Sequence, residues 1–143
     1  AEPVAIWHDG KEWTVVDGLG RVIPDERASD HPDLVRVAGR GAPEAAPALV
    51  MALADAPEVT DDLAIATRIN DRRWDMRLIS GATVRLPEDI ELTAALGRLT
   101  DLQVRTALMQ RPLKMIDLRN AGRVYLGPVN PPNFKAREIA ARS

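Results

Sequence analysis

The chain has 143 residues, enough for one domain with a core, and no cysteine, which excludes disulfides and thiolate metal sites. A net charge of -2 at pH 7 excludes a general electrostatic drive toward nucleic acid or anionic lipid. No apolar run approaches the roughly 20 residues of a bilayer-crossing helix, and with three Trp, one Tyr and one Phe the core falls to Val, Leu, Ile and Ala.

Residues 4–7 and 12–16 alternate as two short strands around His8-Asp9-Gly10, which predicts a hairpin. Asp17-Gly18-Leu19-Gly20 is a second turn, followed by an apolar segment at 21–23. Residues 24–32 are charged and breaker-rich and read as a loop. Residues 34–37 read as a strand, and Gly39-Arg40-Gly41 as a flexible turn. Pro43 and Pro47 are tolerated only near a helix start, so Leu49, Val50 and Leu53 set a helix that ends before Pro57.

In the segment 60–69, Leu63, Ile65, Thr67 and Ile69 share one face of a third strand. It feeds the most informative stretch, RRWDMRLISGATVRLPE at 72–88. Trp74, Met76 and Leu78 fall on one side of an extended chain, Asp75 and Arg77 on the other. Ser80-Gly81 breaks the alternation before Thr83, Val84, Arg85 and Leu86 resume it, which predicts a second hairpin. Pro87-Glu88-Asp89 ends the hairpin, with Asp89 as N-cap of a helix carried by Leu92, Leu96, Leu99 and Leu102 and slightly weakened by Gly97.

Residues 106–112 connect that helix to a strand at 113–118, a turn at Asn120-Ala121-Gly122 and a last strand at 123–126. Pro128, Pro131 and Pro132 exclude further pairing, and residues 133–143 read as a frayed helix. Tight turns between successive strands favour antiparallel pairing. The expected fold is α+β: a mostly antiparallel sheet, two helices packed on one face, and a free C-terminal edge strand.

Few residues are placed for chemistry. His8 and His31 are isolated in turn or breaker-rich segments and read as surface residues. Asp61-Asp62 and Glu88-Asp89-Glu91 sit where a strand start and a helix N-terminus put acids without any metal. Ser29, Ser80 and Ser143 lack a nucleophile elbow, and neither Gly18-Leu19-Gly20 nor Gly39-Arg40-Gly41 has the downstream pattern of a nucleotide site. No catalytic residue, cofactor or metal is expected. The segment 72–88 therefore points to a sheet that binds something. Trp74 reads as core or half-buried rather than as a binding anchor, and Arg72 and Arg73 as a solvated strand entrance. Asp117 and Arg119, two apart, read either as a structural ion pair or as a docking site for an acidic partner. Val124 and Leu126 share a face and Tyr125 points the other way, either exposed for recognition or packed.

The stretch 72–88, a helix and then LKMIDLRNAGRVYL together resemble the bacterial cell-division family FtsQ, called DivIB in other lineages. PVAIWHDGKEWTVVDGLGRVI and LVRVAGRGAPEAAPAL resemble its preceding segments, so the likeness covers residues 3–128 in order. The resemblance implies a β domain at 1–128 and a proline-containing tail at 129–143. A POTRA domain, one transmembrane helix and a cytoplasmic tail would precede it in the full-length protein. It further implies a non-enzymatic periplasmic scaffold at the division septum. Its partners would be FtsB and FtsL, with an FtsB segment added as a strand to the last β-strand. By position, Arg119 would meet an acidic partner residue, and Arg72 or Arg73 would supply a second cation. Arg123, Val124, Tyr125, Leu126 and Gly127 would form the receiving edge. A POTRA-type chaperone domain would need a repeated unit, and a carboxylate hydrolase would need paired acids; the sequence has neither.

Overall fold

A computed structural model describes residues 2–120 and 123–128. It is an α+β fold whose nine strands form a single sheet, in the order β3-β2-β1-β4-β5-β6-β7-β8-β9. The strands are β1 Pro3–His8, β2 Trp13–Asp17, β3 Val22–Ile23, β4 Val35–Ala38, β5 Leu63–Ile69, β6 Arg73–Leu78, β7 Thr83–Glu88, β8 Leu113–Asp117 and β9 Tyr125–Pro128. The helices are α1 Ala42–Ala54, α2 Pro57–Thr60 and α3 Leu92–Thr106. Ala121, Gly122 and the tail beyond Pro128, with its expected frayed helix, lie outside the described residues.

Pairing is mostly antiparallel, but β1–β4, β4–β5 and β7–β8 are parallel. The sheet is thus mostly antiparallel, as expected, with parallel steps that the tight turns do not reveal. A parallel connection needs a crossover, and α1 and α3 provide those after β4 and after β7. Both steps run the same way along the sheet between equally directed strands, so right-handed crossovers put both helices on one face. Accordingly α1 packs on β1, β2 and β4, α3 packs on β7, and the helices touch each other.

The core lies under them. Val37, Ala66, Met76, Val84 and Ile116 form one register row on the helix face, ending at Leu126 on β9. All but Leu126 are fully buried. Trp74, Leu78, Leu86, Leu49, Leu53, Leu96 and Leu99 fill the remaining volume.

In β5, Ile65, Thr67 and Ile69 share a face as expected, and it is the half-buried one; the core face carries Ala66 and Arg68. Three local expectations are overturned. Pro47 sits well inside α1, where it removes one helical hydrogen bond. Asp89 makes no side-chain cap; it opens a 3-10 turn and binds Arg68 instead. The last strand begins at Tyr125 and includes Pro128, so Arg123 and Val124 precede it. Pro128 is accommodated because β9 is an edge.

The opposite face of the sheet divides in two. Over β1 and β2, Ile6 and Val15 are buried, and β2 contacts the 3-10 turn Ala28–Asp30 of the loop after β3. Over β5 to β9 the same face carries polar and charged side chains.

Candidate functional site

The β5–β6 connection is a tight turn in which Asn70 and Asp71 both have positive φ, 53° and 54°, as a type I′ hairpin requires. The Arg72 amide donates to the Ile69 carbonyl at 3.0 Å to close it. Arg72 therefore lies just outside β6, exposed, with Glu88 3.8 Å away. Arg73 is the first residue of β6. It is half-buried on the helix-free face and pairs with Asp75. The structure separates the two arginines that the sequence leaves as alternatives.

The helix-free face carries one register row across five strands: Thr67, Asp75, Arg85, Asp117 and Tyr125. Beyond Asp117 the chain leaves β8, so Arg119 is not a strand residue. The Asp117 carboxylate instead turns the chain back on itself. Its Oδ1 accepts from the Arg119 backbone N–H at 3.0 Å and from Nε at 3.0 Å, and its Oδ2 accepts from NH2 at 2.8 Å. The Arg119 side chain, paired from this almost buried acid, remains 45% exposed. Arg98 of α3 braces the segment by donating to the Leu118 carbonyl at 3.1 Å.

Tyr125 stands on the same face as Asp117 and is 48% exposed. Val124 packs against the core, and Leu126, on the helix side, is also exposed at the rim. Gly127 lies where an added Cβ would come within 3.4 Å of the Met115 Cβ, so the two strands run close there. Arg123 is exposed, with its amide donating to the Asn120 carbonyl at 3.1 Å. Among the described residues nothing pairs with the outer side of β9. Arg119, Arg123 and Tyr125 thus gather at one free sheet edge, while Arg73 stands two strands inward of β8.

A second charged cluster escapes sequence reasoning. Arg68 is buried on the helix face with its guanidinium 5.1 Å from the centroid of the Trp74 ring. Its NH1 and NH2 donate to the two oxygens of Asp89 at 2.7 and 2.6 Å. This bidentate pair keeps the guanidinium charged in the interior. Asp89 and Arg68 line a cleft of about 370 Å³ with Glu44, Ala45, Asp71 and Leu92. The residue pattern near Arg68 offers only Asp71, whose carboxylate lies 3.6 Å from the Arg68 Nε; the bidentate partner is 21 positions away.

The remaining candidates have structural roles. His8 packs edge-on against Trp13, and His31 meets Glu26 at 2.7 Å in the loop over β2. The Asp62 carbonyl accepts from the Ile79 amide at 2.7 Å. Among the described residues no three His, Asp or Glu side chains converge as metal ligands, and no helix is long and apolar enough to cross a membrane.

Three acids are held below the usual carboxylate range. The Arg21 backbone N–H, followed by that of Leu19, does this for Asp17; the Arg119 side chain does it for Asp117; the Glu12 and Lys11 amides do it for Asp9. A carboxyl depressed in the folded state stabilises the fold above its unfolded value of about 4, and that contribution disappears as pH falls through the folded values. The melting temperature should therefore be nearly flat from about pH 7 to pH 5 and drop below about pH 4. Asp17→Asn should flatten part of the acid limb. An acid limb unchanged by Asp17→Asn and by Asp117→Asn would contradict this assignment.

Comparison with known proteins places these features. The family description "Cell division protein FtsQ/DivIB, C-terminal" matches residues 5–119, which end just before β9. The chain is similar to the cell division protein FtsQ of Hirschia baltica, 35% identical over 127 residues, covering 87% of this chain and 43% of the relative. It is likewise similar to FtsQ of Caulobacter vibrioides, 34% identical over 125 residues, covering 87% and 41%. For FtsQ of Rhizobium meliloti the identity is 31% over 139 residues, covering 97% and 44%. The chain thus spans less than half the length of these curated relatives.

Proposed function

This chain belongs to the FtsQ/DivIB family of bacterial cell-division proteins, and we propose that it is the periplasmic docking domain of a non-enzymatic divisome scaffold. On this reading the full-length protein is anchored by a single inner-membrane helix and acts at the septum. The domain spans residues 1–128, followed by a tail at 129–143. It receives the periplasmic segments of FtsB and FtsL and so helps to recruit septal wall synthesis. FtsB adds a strand along β9. One observation carries the reading. β9 ends a nine-stranded sheet with an outer side that no described residue pairs, and exposed Tyr125, Arg119 and Arg123 flank it. Unpaired strand edges template the addition of a foreign strand, and the side chains beside them supply selectivity.

The rival readings find less support. The described strands form one continuous sheet rather than a repeated POTRA-type unit. The acids of the helix-free face are tied to arginines rather than paired with each other over a pocket.

Hydrogen exchange tests strand addition directly. Mixing the chain with the periplasmic segment of FtsB should slow exchange at the outward-facing amides of residues 125–127. Protection confined to α1 or to the β3 edge would sink the β9 reading. Affinity tests the charge. An exposed ion pair is worth about 0 to 1 kcal/mol, whereas breaking one desolvated at an interface costs about 2 to 5 kcal/mol. Arg119→Ala should therefore weaken FtsB binding about tenfold or more while the domain stays folded. Unchanged affinity would remove Arg119 from the interface.

A further inference from the structure

Arg119 and Arg73, one of the two alternatives for the second docking cation, are the ends of one chain of alternating charge. Arg73 pairs with Asp75 within β6. Asp75 is the register partner of Arg85 on β7, and Arg85 is the register partner of Asp117 on β8. Asp117 in turn holds Arg119 by its backbone and its guanidinium. The order is plus, minus, plus, minus, plus across three adjacent strands. Cross-strand pairs of opposite charge stabilise one another on a sheet face.

Asp117 is the hinge of this chain. Its residue is 8% exposed, and three Arg119 donors converge on its two oxygens. Arg85 and Arg119 both help to keep it ionised. A single carboxylate that binds both the amide and the side chain of one residue removes most of that side chain's rotational freedom. A long arginine side chain otherwise loses rotamer freedom when it is immobilised by a partner. The bonds to Asp117 use the backbone N–H, Nε and NH2 of Arg119, and the side chain remains 45% exposed, which leaves NH1 for a second acceptor.

We infer that Asp117 and Arg85 are positioning residues. They hold Arg119 ready at the β9 edge, so the entropy loss of ordering that arginine is met on folding rather than on docking. Arg73 is held at the far end of the same ladder through Asp75. The inference rests on the edge-docking reading above, and it narrows the partner chemistry to a segment with a carboxylate that reaches Arg119. It also selects Arg73 over Arg72 as the second cation, because Arg72 stands outside the ladder beside Glu88.

The test is a double-mutant cycle between Asp117 and Arg119, read by calorimetric affinity for the periplasmic segment of FtsB. Asp117→Asn alone should weaken binding about tenfold. On an Arg119→Ala background the same change should cost less than twofold, because the residue being positioned is gone. Equal losses on both backgrounds would overturn the inference. A second readout needs no partner. The Arg119 Nε–H resonance in nitrogen-15 spectra should be sharp in the wild type and exchange-broadened in Asp117→Asn and Arg85→Gln. A resonance unchanged in both variants would overturn the inference even if affinity fell. Should Asp117→Asn not fold, Arg85→Gln at its half-buried site replaces it in the cycle. A wild-type chain that binds no FtsB segment would sink the docking reading, while the Nε–H signal would separately decide whether the ladder orders Arg119.

Discussion

Trp74→Ala should lower the stability of this domain by about 3 to 5 kcal/mol, the usual cost of removing a large buried aromatic side chain. Two physical losses combine. Trp74, the second residue of β6, is 1% exposed in the core beside its register partner Arg68 on β5. Removing its ring leaves a cavity among Leu and Met side chains that cannot collapse without moving the sheet. It also strips the Arg68 guanidinium of the face on which it stacks, 5.1 Å from the ring centroid. Arg68 would keep the exposed Asp89 as partner but lose the apolar surface that covers its own side of the pair. Native domains are stable by about 5 to 15 kcal/mol, so the change takes a large share of the total. For a chain of this size, about 1 kcal/mol shifts the melting temperature by about 3 to 4 °C, which gives a fall of about 9 to 20 °C. Trp74→Phe keeps a ring under Arg68 and should recover most of the loss. A melting temperature within about 3 °C of the wild type for Trp74→Ala would mean that the core does not depend on this residue.

The same strand explains how much the sequence disclosed. The β6–β7 hairpin was legible because its signals are local: strict alternation through Trp74, Met76 and Leu78, and a Gly-containing turn. Alternation gives the period of a strand but not which side faces the core. β5 shows the gap: it carries Ile65 and Ile69 on the polar side and Ala66 and Arg68 on the buried side. A buried arginine is tolerable only with a counterion, and Asp89 arrives 21 residues later, beyond any local pattern. The parallel pairings were foreshadowed by helices standing between strands, yet tight turns elsewhere outweighed them.

At the candidate site the same limit applies. Asp117 and Arg119 were recognisable as a close pair by spacing alone. The geometry that joins them is a turn beyond β8, not two positions on one strand face. That Asp75 and Arg85 belong to the same row depends on the register of three strands, fixed by pairings such as Asp75–Arg85 and Arg85–Asp117. No residue count along the chain contains that register. The edge itself was anticipated from the prolines, although β9 starts two residues later than expected and tolerates Pro128.

Tyr125→Ala should weaken the binding of FtsB by about 2 kcal/mol or more, close to thirtyfold, while leaving the domain folded. Backbone hydrogen bonds along an added strand are largely indifferent to sequence, so alternate side chains must supply selectivity. On β9 those alternate positions are Tyr125 on the charged face and Leu126 on the helix face. Tyr125 has the larger area to bury, only two side-chain torsions to fix and a hydroxyl that tolerates the charged surroundings of Asp117 and Arg119. It is half exposed in the free chain, so truncation removes little packing from the folded state. Its melting temperature should therefore fall by no more than about 3 °C, in contrast to Trp74→Ala. Leu126→Ala tests the other face of the same strand: it is also half exposed, and its loss should cost less than Tyr125 does. If Tyr125→Ala instead lowers the melting temperature by about 10 °C and spares affinity, Tyr125 packs against its own sheet and the partner does not dock along this edge.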